Sequence, residues 1–176
     1  FMLEPWVFGD DRGYFFESFS LKHFEEKVSK TVFVQDNESK SKYGVLRGLH
    51  YQLPPYTQAK LVRVVKGRVL DVAVDIRKGS PTYGKHVAVE LTEDNHRQFF
   101  IPKGFAHGFI VLSDYAEFCY KVTDFYHPND EGGLLWKDPE IGVEWPMPEG
   151  MTEADLTLSD KDKVWSGISE YVKNRK

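Results

Sequence analysis

The chain has 176 residues and a formal net charge of −4, and its 41% hydrophobic and 28% charged residues are ordinary values for a globular protein. The length predicts one domain spanning residues 1–176, and the composition argues against disorder. The negative charge argues against a nucleic-acid partner, so an anionic ligand would need a local cluster of Arg, Lys and His. The aromatic share of 15% favours a β-rich fold with ring-lined cavities.

Cysteine content and hydropathy also limit the possible cellular setting. The single Cys119 excludes an internal disulfide and a multi-cysteine metal site, and it fits a reducing compartment. There is no apolar run of about 18 residues and no signal segment, so we expect a cytoplasmic protein without a membrane partner. The sequence starts at Phe1 and not at Met, so we expect further N-terminal residues to precede it.

The N-terminal part predicts short elements separated by turns. Residues 1–8 are apolar and strand-like, Gly and Asp at 9–13 indicate a turn, and residues 14–19 predict an aromatic strand. Ser20 is a candidate N-cap for a helix that runs to about Ser29.

The middle of the chain predicts mainly short strands. They are expected at 60–65, 68–76, 86–91, 98–102, 108–112 and 117–125. This spacing of roughly ten residues, with Gly, Pro and Asp in the turns, predicts a sandwich or jelly-roll barrel and not βαβ units. After residue 128 the composition predicts a long covering segment, followed by a terminal helix over 160–171 with Ser159 as its N-cap.

The stretch FVQDNESKSKYGVLRGLHYQ (33–52) is the most informative part of the sequence. Its first residues alternate in type and predict a strand at 33–37. A charged loop at 38–44 and a second strand at 45–52 are predicted to follow.

Arg47 and His50 interrupt the apolar residues of that second strand. Because burying an unpaired charge is costly, they indicate either an edge strand with a solvated face or a functional site. Strict alternation would place the two side chains on opposite faces, whereas a bulge at Gly48 would turn both inward.

Four other features could contribute chemistry, and each has a structural alternative. Lys60 opens an aliphatic strand and could be solvated, while Tyr120 shares a face with apolar residues and could belong to the core. The run LSDKD (158–162) could be a helix N-terminus whose acids complement the dipole. His107 has a stronger functional claim, because the Pro-x-Gly-x-x-His spacing holds its imidazole at a turn.

The residues around His50 disfavour a metal site. Metal-binding cupins use a His-x-His plus Glu motif, and the second His is missing here at the required spacing. No dinucleotide fingerprint, Walker loop or nucleophile elbow occurs. The remaining His, Tyr, Lys, Arg and carboxylates suit abstraction of a proton next to a carbonyl, with a cation stabilising the enolate and a Tyr hydroxyl returning a proton.

These ordered motifs resemble the dTDP-4-dehydrorhamnose 3,5-epimerase family, the RmlC-like cupins. The matching segments are Leu3-Glu4-Pro5, FGDDRGYFFE (8–17), FVQDNESKSKYGVLRGLHYQ (33–52), KLVRVVKG (60–67), DVAVDIRKGSPTYG (71–84), IPKGFAHGF (101–109), LSDYAEFCYKVTDFY (112–126) and LSDKD (158–162). The resemblance implies a mainly β, cupin-type jelly-roll barrel with short flanking helices. It also implies inversion of C3 and C5 of dTDP-4-dehydro-6-deoxy-D-glucose, without cofactor or metal, in a step toward dTDP-L-rhamnose.

The resemblance further implies a role for each catalytic candidate. His50 would be the general base, paired with Asp162, and Tyr120 would return a proton from the opposite face. Lys60 would lie with His50 near the C4 oxygen, where enolate charge develops. Inversion needs two groups on opposite faces, because a single group on one face would restore the original configuration.

The substrate-binding positions are implied in the same way. Arg47 and His107 would bind the diphosphate, which makes a buried Arg47 understandable, and Tyr126 would stack on thymine. Arg12 and Glu17 would reach the site of a partner subunit by strand exchange, so a homodimer is expected. The other implied binding positions are Gln35, Asp36, Asn37, Glu131 and Lys161.

Three alternatives stay open. A relative that epimerises only one centre would keep the same His, Asp and Tyr. A metal-dependent cupin such as a dioxygenase would contain bound metal. A non-catalytic sugar-binding cupin is disfavoured by the combination of His50, Tyr120 and Asp162, because binding alone does not need an acid and a base on opposite faces.

Overall fold

The computed structural model describes residues 1–173, which form mainly β-structure. The strands are β1 (Met2–Leu3), β2 (Phe8–Asp10), β3 (Gly13–Phe15), β4 (Gln35–Lys42), β5 (Leu46–Gln52), β6 (Lys60–Lys66), β7 (Arg68–Asp75), β8 (His86–Thr92), β9 (Gln98–Ile101), β10 (Phe105–Val111), β11 (Tyr115–Val122) and β12 (Glu131–Gly133). The α-helices are α1 (Leu21–Lys27), α2 (Asp160–Val164) and α3 (Ile168–Lys173). Short 3-10 turns lie at Pro128–Asp130 and Glu153–Asp155.

Two five-stranded sheets form the body of the fold. One has the strand order β1-β9-β6-β11-β4 and the other has the order β12-β5-β10-β7-β8, and β2 and β3 form a separate hairpin. Val62 and Phe118 from the first sheet pack with Val69 and Phe109 from the second in one buried cluster. The sheets therefore enclose a common core, and the predicted cupin-type jelly roll is confirmed.

The segment after residue 128 covers the other face of the second sheet, as predicted. Val72 and Val74 alternate with the residues of β7 that face the barrel, and they pack against Trp136, Trp145 and Ile168. The second sheet is thus buried on both faces. This explains why β7 and β10 consist almost wholly of buried residues.

Both predicted helix caps are confirmed, but the terminal helix is not continuous. Ser20 Oγ accepts a hydrogen bond from the His23 amide, and Ser159 Oγ accepts one from the Asp162 amide. The prediction of one helix over 160–171 is wrong, because α2 ends at Val164 and α3 begins only at Ile168. The Ile168 amide instead donates to the Asp138 carboxylate.

The predicted loop at 38–44 is wrong. β4 continues to Lys42 and pairs with β11 in unbroken register, from Gln35 opposite Val122 to Lys42 opposite Tyr115. Exposed residues of this edge strand alternate with residues that are partly or fully buried. The polar side chains therefore belong to a strand with one solvent-exposed face and do not indicate a turn. The turn itself is confined to Tyr43 and Gly44.

The predicted N-terminal strands are also too long. Residues 1–8 contain only β1, in which Met2 pairs with Phe99, and the first residue of β2. The aromatic strand expected at 14–19 is only the short β3, which turns back on β2.

The predicted bulge at Gly48 is confirmed. β5 and β10 pair His50 with His107 and Arg47 with Phe109, so β5 has one extra residue between the two pairs. Gly48 has φ +129°, and a Cβ there would lie 2.5 Å from the Gly108 Cα. The extra residue allows Arg47 and His50 to share a face of the strand.

Candidate active site

A cavity of about 340 Å³ lies at one end of the barrel. Three of the predicted catalytic residues line it, namely His50, Lys60 and Tyr120. Four predicted substrate-binding residues also line it: Gln35, Asn37, Tyr126 and Glu131. These seven residues come from β4, β5, β6, β11, β12 and the loop after β11, so the strand order of both sheets is what brings them together.

His50 and Asp162 form a hydrogen-bonded pair although they lie 112 residues apart in the chain, with His50 Nε2 2.5 Å from Asp162 Oδ1. Asp162 is buried, and its Oδ1 also accepts a hydrogen bond of 3.3 Å from Trp165 Nε1. Burial opposes ionisation of Asp162, but the hydrogen bond and charge of His50, together with hydrogen bonds from Ser159 and the Gly48 backbone, outweigh it, so the pKa of Asp162 is lowered. Because an ionised carboxylate only accepts hydrogen bonds, Nε2 carries the shared proton and Nδ1 can take another.

Tyr120 lies directly opposite Asn37 in the register of β11 and β4. Its half-buried position raises the pKa of the phenol, although the positive charge of Arg47 and a hydrogen bond with Asn37 oppose that shift. Tyr120 therefore holds its proton at neutral pH, as a group that donates a proton must.

Lys60 opens β6 and is half-buried at the cavity. Loss of hydration lowers the pKa of its ammonium to about 8, against the attraction of Asp71 and Glu131. Lys60 thus remains mostly protonated at neutral pH, and it can release its proton more readily than an exposed lysine.

A second histidine–aspartate pair lies deeper in the barrel. His107 Nε2 is 2.8 Å from Asp71 Oδ2, and both residues are buried. Burial raises the pKa of Asp71 and lowers that of His107, while the attraction between the two groups opposes both shifts. The His107 ring also stacks on Phe118, with centroids 6.0 Å apart.

Arg47 and Asp36 lie outside the cavity lining. The predicted burial of Arg47 is wrong, because the residue is exposed and its Nε donates to Ser41 Oγ at 2.9 Å. Asp36 projects from the opposite face of β4 and forms a 2.9 Å ion pair with Lys121.

The remaining predicted binding residues are held by local hydrogen bonds or ion pairs. Arg12 is exposed on the β2–β3 hairpin and pairs with Asp10, and Glu17 pairs with His23 at 2.9 Å. Neither residue lines the cavity of its own chain. Lys161 pairs at 2.6 Å with Glu131, which does line the cavity, and so lies at its rim.

Asp71 and Trp165 are site residues that were not among the sequence candidates. Asp71 had no assigned role within the strand predicted at 68–76, and Trp165 was placed within the single helix predicted over 160–171. The sequence did contain a signal for Asp71, because it is an acid within a strand of small aliphatic residues. Such an acid needs a partner when it is buried. Within residues 1–173, no group of three or more His, Cys, Asp or Glu has the arrangement of a metal site.

Comparison with known proteins identifies the relatives of this chain. A profile of the family described as dTDP-4-dehydrorhamnose 3,5-epimerase matches residues 1–170. A protein of that name from Shigella flexneri is 60% identical over 92% of this chain and 86% of its own length. The crystal structure of dTDP-6-deoxy-D-glucose-3,5-epimerase from Legionella pneumophila, in complex with dTDP-4-keto-L-rhamnose, is 51% identical with a TM-score of 0.90, over 96% of this chain and 87% of that one.

A further solved relative has a narrower described activity. It is a 3'-monoepimerase from Streptomyces bikiniensis in complex with dTDP-quinovose, 30% identical with a TM-score of 0.88, over 98% of this chain and 85% of that one. The fold and these relatives define a sugar epimerase, an isomerase built on a cupin-type barrel. The chain belongs to the dTDP-4-dehydrorhamnose 3,5-epimerase family, as the motifs predicted.

Proposed function

We propose that the protein inverts C3 and C5 of dTDP-4-dehydro-6-deoxy-D-glucose to give dTDP-4-dehydro-L-rhamnose in dTDP-L-rhamnose biosynthesis. The observation that carries the proposal is the His50–Asp162 hydrogen bond beside a cavity that Tyr120 also lines. An oriented base and a protonated phenol at one cavity are the two groups that inversion requires.

His50 is the general base in this mechanism. Nδ1 takes the acidic proton next to the C4 carbonyl, and the buried carboxylate of Asp162 stabilises the imidazolium that forms. General acid–base catalysis of this kind contributes on the order of 10²–10⁴-fold.

Lys60 stabilises the negative charge that develops on the C4 oxygen. Its ammonium lines the same cavity as His50, and no hydrogen bond joins it to another residue of the described chain. It can therefore donate to an enolate oxygen without breaking an existing bond.

Tyr120 returns a proton to the face of the sugar opposite to His50. Burial favours its protonated form, so the phenol is loaded before the enolate forms. The phenolate left behind is stabilised by the hydrogen bond with Asn37 and the charge of Arg47.

The nucleotide is bound by residues around the cavity. We assign the diphosphate to Arg47 and His107 and the thymine to Tyr126, which is exposed at the rim. Gln35, Asn37, Glu131 and Lys161 bind the substrate nearby, and Asp36 supports the same strand from its other face. No cofactor or metal is needed, because a neighbouring carbonyl already makes the proton acidic.

Arg12 and Glu17 complete the site of a partner subunit in a homodimer. The β2–β3 region that carries them exposes large apolar side chains, including Trp6, Phe8 and Phe15. A second copy of the chain would cover such a surface. The whole chain, residues 1–176, acts as a single domain in this assembly.

We place the enzyme in the cytoplasm, because its single cysteine, Cys119, forms no disulfide and fits a reducing compartment. None of the helices in the described part of the chain combines the length and apolar character that crossing a membrane requires.

Deuterium exchange tests the proposed reaction. NMR of dTDP-4-dehydro-6-deoxy-D-glucose with the metal-free protein in D₂O should show deuterium at both C3 and C5. Deuterium at C3 alone would contradict double inversion and favour a single-centre enzyme like the Streptomyces bikiniensis relative. Exchange that requires added metal would favour a metal-dependent cupin.

A further inference from the structure

Two glutamines line the cavity and have no role in the proposed reaction so far. Gln52 ends β5, Gln58 lies just before β6, and both line the cavity together with His50 and Lys60. Gln52 follows His50 by two residues on one strand, so the two side chains share a face. Gln58 precedes Lys60 by two residues. The glutamines therefore lie beside the groups that act on the hexose.

A hydrogen bond fixes which end of the Gln52 amide is available to a ligand. Gln52 Oε1 accepts a 2.8 Å hydrogen bond from the backbone amide of His127. A backbone N–H only donates, so the amide oxygen must take this position and the amide nitrogen the other. Gln52 is 7% exposed, and its Nε2 has no acceptor among residues 1–173. This donor is therefore available to a molecule in the cavity.

Gln58 is held in the opposite sense. Its Nε2 donates a 2.7 Å hydrogen bond to the backbone carbonyl of Asp124. A carbonyl only accepts, so the amide nitrogen takes this position and Oε1 is left as an acceptor. The adjacent Ala59 amide donates to Thr123 Oγ1 at 2.9 Å, which keeps the two segments together. The pair thus offers one donor, from Gln52, and one acceptor, from Gln58.

A hydroxyl group can satisfy both amides, because it donates one hydrogen bond and accepts others. We propose that Gln52 and Gln58 bind the C2 hydroxyl of the hexose and hold the ring while C3 and C5 invert. The inference rests on the proposed function, in which the C4 oxygen lies near His50 and Lys60. Of the two hydroxyl-bearing carbons of this substrate, C2 is the one that the reaction leaves unchanged. Two fixed amides can therefore hold its hydroxyl from substrate to product.

The depth of Gln52 favours the sugar over the base as its ligand. Tyr126, which is proposed to stack on thymine, is 50% exposed at the rim, whereas Gln52 is 7% exposed. The hydrogen bonds of the two glutamines go to Asp124 and His127, on either side of Tyr126 in the chain. The amides thus lie beneath the loop that carries Tyr126, on the side of His50.

Calorimetry with two sugars and two variants tests the proposal. Wild-type protein should bind unreactive dTDP-glucose roughly tenfold more tightly than dTDP-2-deoxyglucose, because two neutral hydrogen bonds to the hydroxyl are lost. This ratio should shrink in Gln52→Leu and in Gln58→Leu, while the affinity for dTDP stays nearly unchanged. A wild-type ratio in both variants would overturn the proposal. An equal loss of dTDP affinity would also overturn it, because the amides would then bind the nucleotide.

Gln98→Leu is the matched control. Gln98 is also a buried glutamine whose Nε2 donates to a backbone carbonyl, that of Ser18 at 2.6 Å, but it does not line this cavity. Its replacement should lower the melting temperature and leave the ratio of the two sugar affinities unchanged. A ratio that shrinks equally in Gln98→Leu would show a general structural effect and overturn the assignment.

A measurement on the wild type does not depend on whether the variants fold. In ¹⁵N-labelled protein, the side-chain amide protons of Gln52, assigned through bonds, should move further downfield with saturating dTDP-glucose than with dTDP-2-deoxyglucose, because the hydrogen bond to the hydroxyl deshields them. Equal shifts with the two sugars would overturn the contact. Neither experiment requires turnover, so a protein that binds as expected but does not epimerise would disprove only the proposed function.

Discussion

Two histidines of this barrel are each bound to a buried aspartate, but they differ in access to the cavity. The His50 side chain is 32% exposed and its partner Asp162 is 2% exposed, whereas His107 and Asp71 are 8% and 0% exposed. The same pair of groups is therefore suited to two different proposed roles. Only His50 is exposed enough to exchange a proton with a bound molecule while its aspartate stays shielded from solvent. His107 is buried, and it is better suited to keeping its proton and charge fixed.

The positions of the two aspartates in the fold explain why the two histidines differ in exposure. Asp71 belongs to a central strand and is surrounded by the two sheets, while Asp162 lies in the first turn of the short helix α2, which contacts β5. A helix at the barrel mouth can hold a carboxylate behind a histidine and leave the ring accessible. A central strand provides burial on both faces.

Replacement of the base should have the largest effect. His50→Ala should lower kcat by on the order of 10³–10⁴-fold and abolish exchange at both carbons, because the proposed base is removed. Affinity for unreactive dTDP-glucose, measured by calorimetry, should stay nearly unchanged.

His107→Ala is the matched variant for this test. It should weaken dTDP-glucose binding by roughly tenfold or more, since a charge-assisted hydrogen bond is lost. Equal losses of kcat in the two variants would remove the distinction between the histidines.

Asp162→Asn should have the next largest effect. The amide keeps the shape of the side chain but cannot stabilise an imidazolium, so kcat should fall roughly a hundredfold. Steady-state kinetics with the 4-keto substrate would measure this. A variant with wild-type kcat would show that His50 acts without its carboxylate.

Asp162 should also contribute to stability in a defined pH range. Because its pKa is lower in the folded chain, its contribution is fully present above the unfolded value and is lost as pH falls through the folded value. Urea unfolding should show that this contribution is lost as the pH falls below about 4, and the loss should be absent in Asp162→Asn. Identical pH profiles for both proteins would contradict the lowered pKa.

Trp165→Phe should have the smallest effect. It removes the second hydrogen bond to Asp162 Oδ1 but keeps an aromatic ring, so kcat should fall by about three- to tenfold. The control is Trp145→Phe, which loses a 2.8 Å hydrogen bond to the Trp136 carbonyl in the core. The control should lower the melting temperature and leave kcat unchanged. A similar fall of kcat in both variants would indicate a general structural role for Trp165.

Local sequence signals correctly predicted the two helix caps and the bulge in β5. Ser20 and Ser159 are caps because their side chains act within three residues, and the Gly48 bulge follows from a glycine between two polar residues of a strand. The β4 prediction was wrong because an exposed edge strand has the same polar composition as a loop. Its pairing with β11 is set by residues far away in the chain.

Long-range contacts could not be predicted from local patterns. The His50–Asp162 pair spans 112 residues, and only resemblance to a family suggested it. The His107–Asp71 pair spans 36 residues, and Asp71 was not identified because alternation in β7 does not show which face is buried more deeply. Arg47 was expected to be buried, but the structure of the single chain leaves it exposed.

The most direct test of the central claim compares exchange with turnover in Tyr120→Phe. If His50 removes protons and Tyr120 returns them on the other face, this variant should still incorporate deuterium from D₂O at C3 with retention of configuration while net epimerisation falls by on the order of 10²-fold or more. NMR of dTDP-4-dehydro-6-deoxy-D-glucose would measure both rates in one sample. Parallel loss of exchange and epimerisation would contradict the assignment of two groups to two faces.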